Sequence, residues 1–146
     1  MIHSNHETIH RNTFLNIITV NVSSAQLGVN MNQILSIQQF QSSKNDHDQL
    51  VYIHNALNLK EKIDYKSPHI FWVKNIAPPI GLILNEPQQI INISIKQIKP
   101  LPPIIKKYCI YDAVWGVVAN GHEFIVLIDV IRLINGMKYT LNPERA

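Results

Sequence analysis

Val114-Trp115-Gly116-Val117-Val118-Ala119-Asn120-Gly121-His122-Glu123-Phe124-Ile125-Val126-Leu127-Ile128-Asp129 is the stretch whose reading decides the fold. Its two apolar runs, 114–119 and 124–128, are rich in β-branched side chains, whose restricted χ1 rotation suits strands better than helices. Asn120-Gly121 between them is the pair that most readily takes the positive φ values of a tight turn, so the segment predicts an antiparallel hairpin. Neither arm alternates apolar with polar residues. That predicts cover on both faces, as in a small closed barrel or between packed layers. After Asp129 the period changes: Val130-Ile131-Arg132-Leu133-Ile134 reads as a short helical turn whose first free amides Asp129 is placed to cap, and Gly136 marks its stop.

Upstream, the same signals repeat. Residues 13–22 read as a strand in which Ile18-Thr19-Val20-Asn21-Val22 alternates strictly. Ser23-Ser24 is a turn, and Gln26-Leu27-Gly28-Val29-Asn30 a returning strand. Met31 to Phe40 is ambiguous, because Ile34, Ile37 and Phe40 share a helical face while Leu35, Ile37 and Gln39 share a strand face. The reading adopted is a helical turn at Asn32-Gln33 passing into a strand over 34–40. Leu50 to His54 is a strand, and Asn55 caps a helical turn over 55–59. Residues 60–68 are a charged connector and the expected subdomain boundary. Strands follow at 69–74, 80–85 and 87–95, the first two joined through Asn75 to Pro79, where Pro78-Pro79 excludes helix. Lys99-Pro100-Leu101-Pro102-Pro103 must be extended, since each proline disfavours helix at the residue before it; a rigid connector outweighs a ligand for a proline-recognising domain.

Composition sets the class. A chain of 146 residues with 46% hydrophobic and 16% charged residues and 5 glycines is a packed globular protein of one domain or two small subdomains, not a disordered tail. No apolar run reaches the ~20 residues that cross a bilayer, and residues 1–12 lack the apolar stretch of a secretion signal, so no direct membrane insertion and a cytoplasmic location are expected. The single cysteine, Cys109, fits a reducing compartment and reads as a buried small side chain.

Candidate chemistry is sparse. The net charge of +3 comes from scattered lysines. The densest group, Lys96, Lys99, Lys106 and Lys107, reads as a solvated edge, with no interleaved aromatic residues on which bases would stack, so no nucleic-acid partner is expected. His3, His6 and His10 lack cysteine or acidic partners at ligand spacing. Asp46, His47 and Asp48 are adjacent on a polar loop over 41–49 and do not converge on one point. A small enzyme or ligand-binding barrel would draw on His54, His122 or Asp129, but the place of Asp129 at a helix start is a sufficient structural reason for it. No glycine-rich phosphate loop or nucleophile motif is present, and no cofactor or metal is expected.

Taken in order, these segments resemble the CheW-like family, the coupling domains that link chemoreceptors to the CheA-type histidine kinase. The resemblance spans about residues 14–136. It is carried by Phe14-Leu15-Asn16-Ile17-Ile18, by Leu27-Gly28-Val29 through Ile34-Leu35-Ser36-Ile37, and by Leu50-Val51-Tyr52-Ile53-His54-Asn55. In the second half, Ile80-Gly81-Leu82-Ile83-Leu84-Asn85, Ile98-Lys99-Pro100-Leu101-Pro102, the quoted hairpin and Leu133-Ile134 carry it. Where the family has a longer segment ending in an arginine-glycine pair, this chain has only residues 38–49, with neither residue type; Asn55 replaces an expected aspartate, and Ser36 an acidic residue.

The resemblance implies a mainly β fold of two small five-stranded β-barrels packed on each other, with short helical turns. The expected layout is a polar tail at 1–12, a first barrel over about 13–60, a second over about 69–128, a closing helix at 129–135 and a polar tail at 137–146. It also implies a non-catalytic adaptor of two-component signalling whose partners are a CheA-type histidine kinase and a chemoreceptor cytoplasmic tail. Carried over by position, the partner-binding candidates are Ile34 and Ile37 in the first half and Val114 and Val117 in the hairpin.

Overall fold

The computed structural model describes residues 13–22, 25–41, 49–59, 63–101 and 112–141. His3, His6, His10, the Ser23-Ser24 turn, Asp46, His47, Asp48, Lys106, Lys107 and Cys109 lie outside the described residues.

Nine described strands carry the fold: β1 (Phe14–Val22), β2 (Ala25–Asn30), β3 (Ile34–Gln39), β4 (Leu50–Tyr52), β5 (Pro68–Val73), β6 (Gly81–Asn85), β7 (Gln89–Ser94), β8 (Val114–Asn120) and β9 (Glu123–Ile128). Two helices, α1 (Ile53–Ala56) and α2 (Val130–Leu141), and 3-10 turns at Met31–Gln33 and Ile95–Gln97 join them. The strands form a five-stranded sheet in the order β7-β1-β2-β9-β8 and a four-stranded sheet in the order β3-β5-β6-β4. The architecture is mainly β with two packed sheet subdomains, as expected.

Side-chain packing explains why the larger sheet curls. Ile17, Ile93, Val118, Ile125 and Leu127 form one buried cluster. Ile93 belongs to the edge strand β7 and Val118 to the opposite edge strand β8, so they meet only if the sheet rolls into a half-barrel. Gly28 makes room inside the roll: a Cβ there would lie 2.7 Å from methyl carbons of Ile125 and Ile17 and 2.8 Å from one of Leu127. Lys99 bridges the open side, exchanging two backbone hydrogen bonds of 2.9 Å with Val117.

The other face of this sheet makes the main core. Ile18, Val20, Val22, Leu27, Val29 and Ile128 pack with Phe71, Val73, Leu82 and Leu84 of the smaller sheet and with Val130, Leu133 and Ile134 of α2. Each buried side chain of this size contributes about 1.5–3 kcal/mol of transfer free energy. Strands β1, β2 and β9 are thus covered on both faces, which accounts for the missing alternation in the 124–128 run.

Several expectations need correction. The strands do not divide into a first barrel at 13–60 and a second at 69–128: β1 and β2 pair with β7 and, in parallel, with β9, while β3 and β4 join β5 and β6. Parallel and long-range antiparallel pairs have no turn between them to announce the partnership. The expected boundary is packed in part, with Ile63 in the main core and Tyr65 against it, and the connector joins strands of one sheet.

The hairpin turn is also displaced by one residue. Asn120 pairs with Glu123, leaving Gly121-His122 as the loop, with φ +65° at Gly121. A positive φ at the first central residue only matches a type II′ turn. Helix α1 starts after Tyr52 without a side-chain cap, and Asn55 lies inside it. The closing helix runs past 135 and through Gly136 to Leu141, taking in the first part of the expected tail. An interior glycine costs about 1 kcal/mol relative to alanine. The stripe Val130, Leu133, Ile134 and Met137, all against the main core, outweighs it.

Candidate partner-binding surfaces

Edge strand β3 carries the first pair of candidates. Its register shifts between Ile34 and Ser36, so that Ile34 opposes Val73 and Ile37 opposes Phe71, with Leu35 left over. The bulge resolves the ambiguity in the sequence: an inserted residue lets a strand hold Ile34 and Ile37, three apart, on one face. Ile34 is only 7% exposed and belongs to the main core. Ile37 is half-buried against the same core, and Leu35 is 67% exposed.

Strands β8 and β9 carry the second pair. Val114 is half-buried against the main core. Val117 opposes Val126 on β9 and Lys99 on the bridge. Phe124, opposite the exposed Ala119, stands out from the same face at 66% exposure. The four candidates therefore divide between two sheets; Ile34 is a core residue. Leu35 and Phe124 were missed because a bulge and a strand end, neither visible in periodicity, expose them.

At the junction of β3 and α2 a polar joint fixes the two sheets. Asp129 Oδ1 accepts from the Arg132 backbone N–H (3.0 Å) and from Gln33 Nε2 (3.0 Å), and Arg132 Nε lies 3.6 Å from Asp129 Oδ2. Gln33 Oε1 accepts from the backbone N–H of Val130 (3.1 Å), and the Gln33 carbonyl accepts from Lys74 N–H (2.8 Å). Asp129 is the helix cap expected from sequence; the contribution of Gln33, 96 residues away in the chain, carries no local signal.

Two of the alternative site residues, His122 and Asp129, do not converge. His122 sits at the exposed hairpin tip, and the length of β9, about 3.3 Å per residue, puts it roughly 20 Å from Asp129. His54 belongs to an aromatic group: its Nδ1 lies 2.8 Å from the Tyr65 hydroxyl, which accepts the His54 backbone N–H at 3.3 Å. Tyr52 packs against both rings and meets Phe40 edge-on. Burial raises the Tyr65 hydroxyl above the ordinary tyrosine range, opposed by the hydrogen bond from His54.

A cleft of about 420 Å³ opens where the sheets meet, lined by Asn21, Asp64, Lys66, Ser67, Asn85 and Glu86 with Gln88. Asn85 Nδ2 donates to the Asn21 carbonyl across it (3.0 Å), while Asn85 Oδ1 is buried without a partner. Its charged walls, Asp64, Lys66 and Glu86, are exposed, so the cleft is a surface feature and not an enclosed chamber. Among the described residues no three His, Cys, Asp or Glu side chains could hold a metal ion, and no helix is long and apolar enough to cross a membrane.

No family model and no curated protein sequence matches the chain. Among solved structures it is similar to the scaffolding protein TtCheW from Thermoanaerobacter tengcongensis, with a TM-score of 0.61 and 14% identity over 82% of this chain and 86% of that one. The likeness shows that the chain has a divergent CheW-like fold.

Proposed function

We propose that this protein is a non-catalytic scaffold of chemotaxis-type two-component signalling, which holds a CheA-type histidine kinase and a chemoreceptor cytoplasmic tail through its outer surfaces. The observation that carries the reading is the fold shared with a scaffolding protein over 82% of the chain. The uses of the polar side chains support it: Asp129 caps a helix, His54 is tied to Tyr65, and His122 stands alone on a turn.

The contact residues proposed are Ile37 with Leu35 on β3, and Val117 with Phe124 on the β8–β9 hairpin. Exposed apolar side chains beside strand edges are what a partner buries when it docks on a β subdomain. Val114, held against the core, supports the hairpin from beneath.

Calorimetric titration of the chain with the regulatory domain of a CheA-type kinase and with a receptor tail tests this. Binding of either, weakened about tenfold or more by Phe124→Glu or Leu35→Glu with the circular dichroism unchanged, is the expected result. Absence of binding to both partners refutes it.

A further inference from the structure

Among the described residues each sheet has two edge strands, and three of the four are blunted against pairing with another chain. β3 is interrupted by its bulge, β4 has only three residues, and β8 has a register shift and the Lys99 bridge. The fourth is β7, Gln89-Ile90-Ile91-Asn92-Ile93-Ser94. It carries no charge and no proline and pairs with β1 in unbroken register. Ile90 on it is 58% exposed, and Phe14 and Ile95 beside it are also exposed.

The backbone shows which groups this edge offers. Ile95 N–H donates to the Thr13 carbonyl, so in the alternating antiparallel ladder Ile93, Ile91 and Gln89 also turn their backbone groups toward β1. Ile90, Asn92 and Ser94 turn theirs away. The Ser94 N–H is taken by Gln97 Oε1 at 2.7 Å. What remains without a partner among the described residues are the N–H and C=O groups of Ile90 and Asn92.

We propose that β7 pairs with β7 of a second copy of this chain, antiparallel about a two-fold axis at Ile91, joining the two half-barrel sheets edge to edge. In this register Ile90 of each copy exchanges two hydrogen bonds with Asn92 of the other, which satisfies all four free groups on both edges. A shift by one residue either way forfeits part of that set, because the two-fold then brings Ile90 opposite itself or opposite the already bonded Ser94. The flanking charges fit the same axis. Glu86 and Lys96, both exposed, flank the two ends of β7, so an antiparallel pairing brings the Glu86 end of each copy toward the Lys96 end of the other. Isologous pairing of one patch with itself is the commonest route to a closed dimer. The inference stands on the edge alone and does not depend on the chain being a signalling adaptor.

Sedimentation velocity of the full chain, from low micromolar to near-millimolar concentration, tests the proposal. The wild type is expected to shift from monomer to dimer, and Asn92→Pro to weaken the dimer at least tenfold. Proline is tolerated at that position because the N–H it removes points away from β1. Glu86→Lys is expected to weaken dimerisation severalfold, and Glu86→Lys combined with Lys96→Glu to restore it, which a merely structural effect would not do. A wild-type chain that stays monomeric throughout overturns the proposal. So does a dimer indifferent to Asn92→Pro, or one that the charge exchange fails to restore.

Discussion

Gln33 is the residue whose removal tests the joint between the sheets most sharply. Its side chain accepts the backbone N–H of Val130, a residue only 1% exposed, and donates to Asp129 Oδ1. In Gln33→Ala the Val130 amide loses its partner at a part-buried position, which costs about 1–3 kcal/mol. Asp129 still caps the Arg132 amide, so the full worth of a helix cap, about 0.5–2 kcal/mol, is not added on top. A loss of about 1–3 kcal/mol corresponds to a fall of roughly 3–9 °C in Tm for a domain of this size. Urea denaturation should show the midpoint falling with the slope unchanged, because the same surface is exposed on unfolding. Gln33→Glu keeps the acceptor but sets a second carboxylate against Asp129 in place of the donor, and should not restore full stability. Since Gln33 and Asp129 share one hydrogen bond, a double-mutant cycle with Asp129→Ala should give a coupling of about 0.5 kcal/mol or more. A Gln33→Ala change below about 0.5 kcal/mol, or strictly additive mutants, would refute the assignment.

Other consequences can be read as directly. Gly28→Val forces methyl groups against Ile17, Ile125 and Leu127 and should cost about 1–3 kcal/mol or more by thermal melting. Ile34→Asp places a charge in the main core and should abolish the cooperative transition, whereas Leu35→Ser should stay within about 0.5 kcal/mol of wild type by urea denaturation. Tyr65 has its hydroxyl raised above 10.0 by burial, so its stabilising contribution is complete below that pH and is lost as the pH climbs through the higher folded value. Tyr65→Phe should accordingly flatten the alkaline loss of stability and remove a late-ionising component from the ultraviolet titration.

What the sequence disclosed was whatever depends on near neighbours. The β8–β9 hairpin, the helical turn ahead of β3 and the capping role of Asp129 follow from residues a few positions apart. Even there Gly121, free to take the first central position, moved the turn one residue from Asn120-Gly121. The pairings of β1 with β7 and β2 with β9 were hidden, because apolar strands of similar composition give no sign of which will meet. Of the candidate surface, Ile37 and Val117 remain as proposed contacts, while Ile34 turned inward once the bulge at Leu35 reset the face of its strand.

The parallel seating of β9 beside β2 also bears on how the chain is made. During synthesis β2 emerges well before β9, the strand it pairs with, has been translated. The β2 edge from Gln26 to Val29 therefore stays without this neighbour until Ile125 to Ile128 have followed. Rings of contact closed over such distances form slowly and leave the early ribbon dependent on protection from aggregation. A ribosome stalled before residue 123 would hold a sticky fragment and not a finished half.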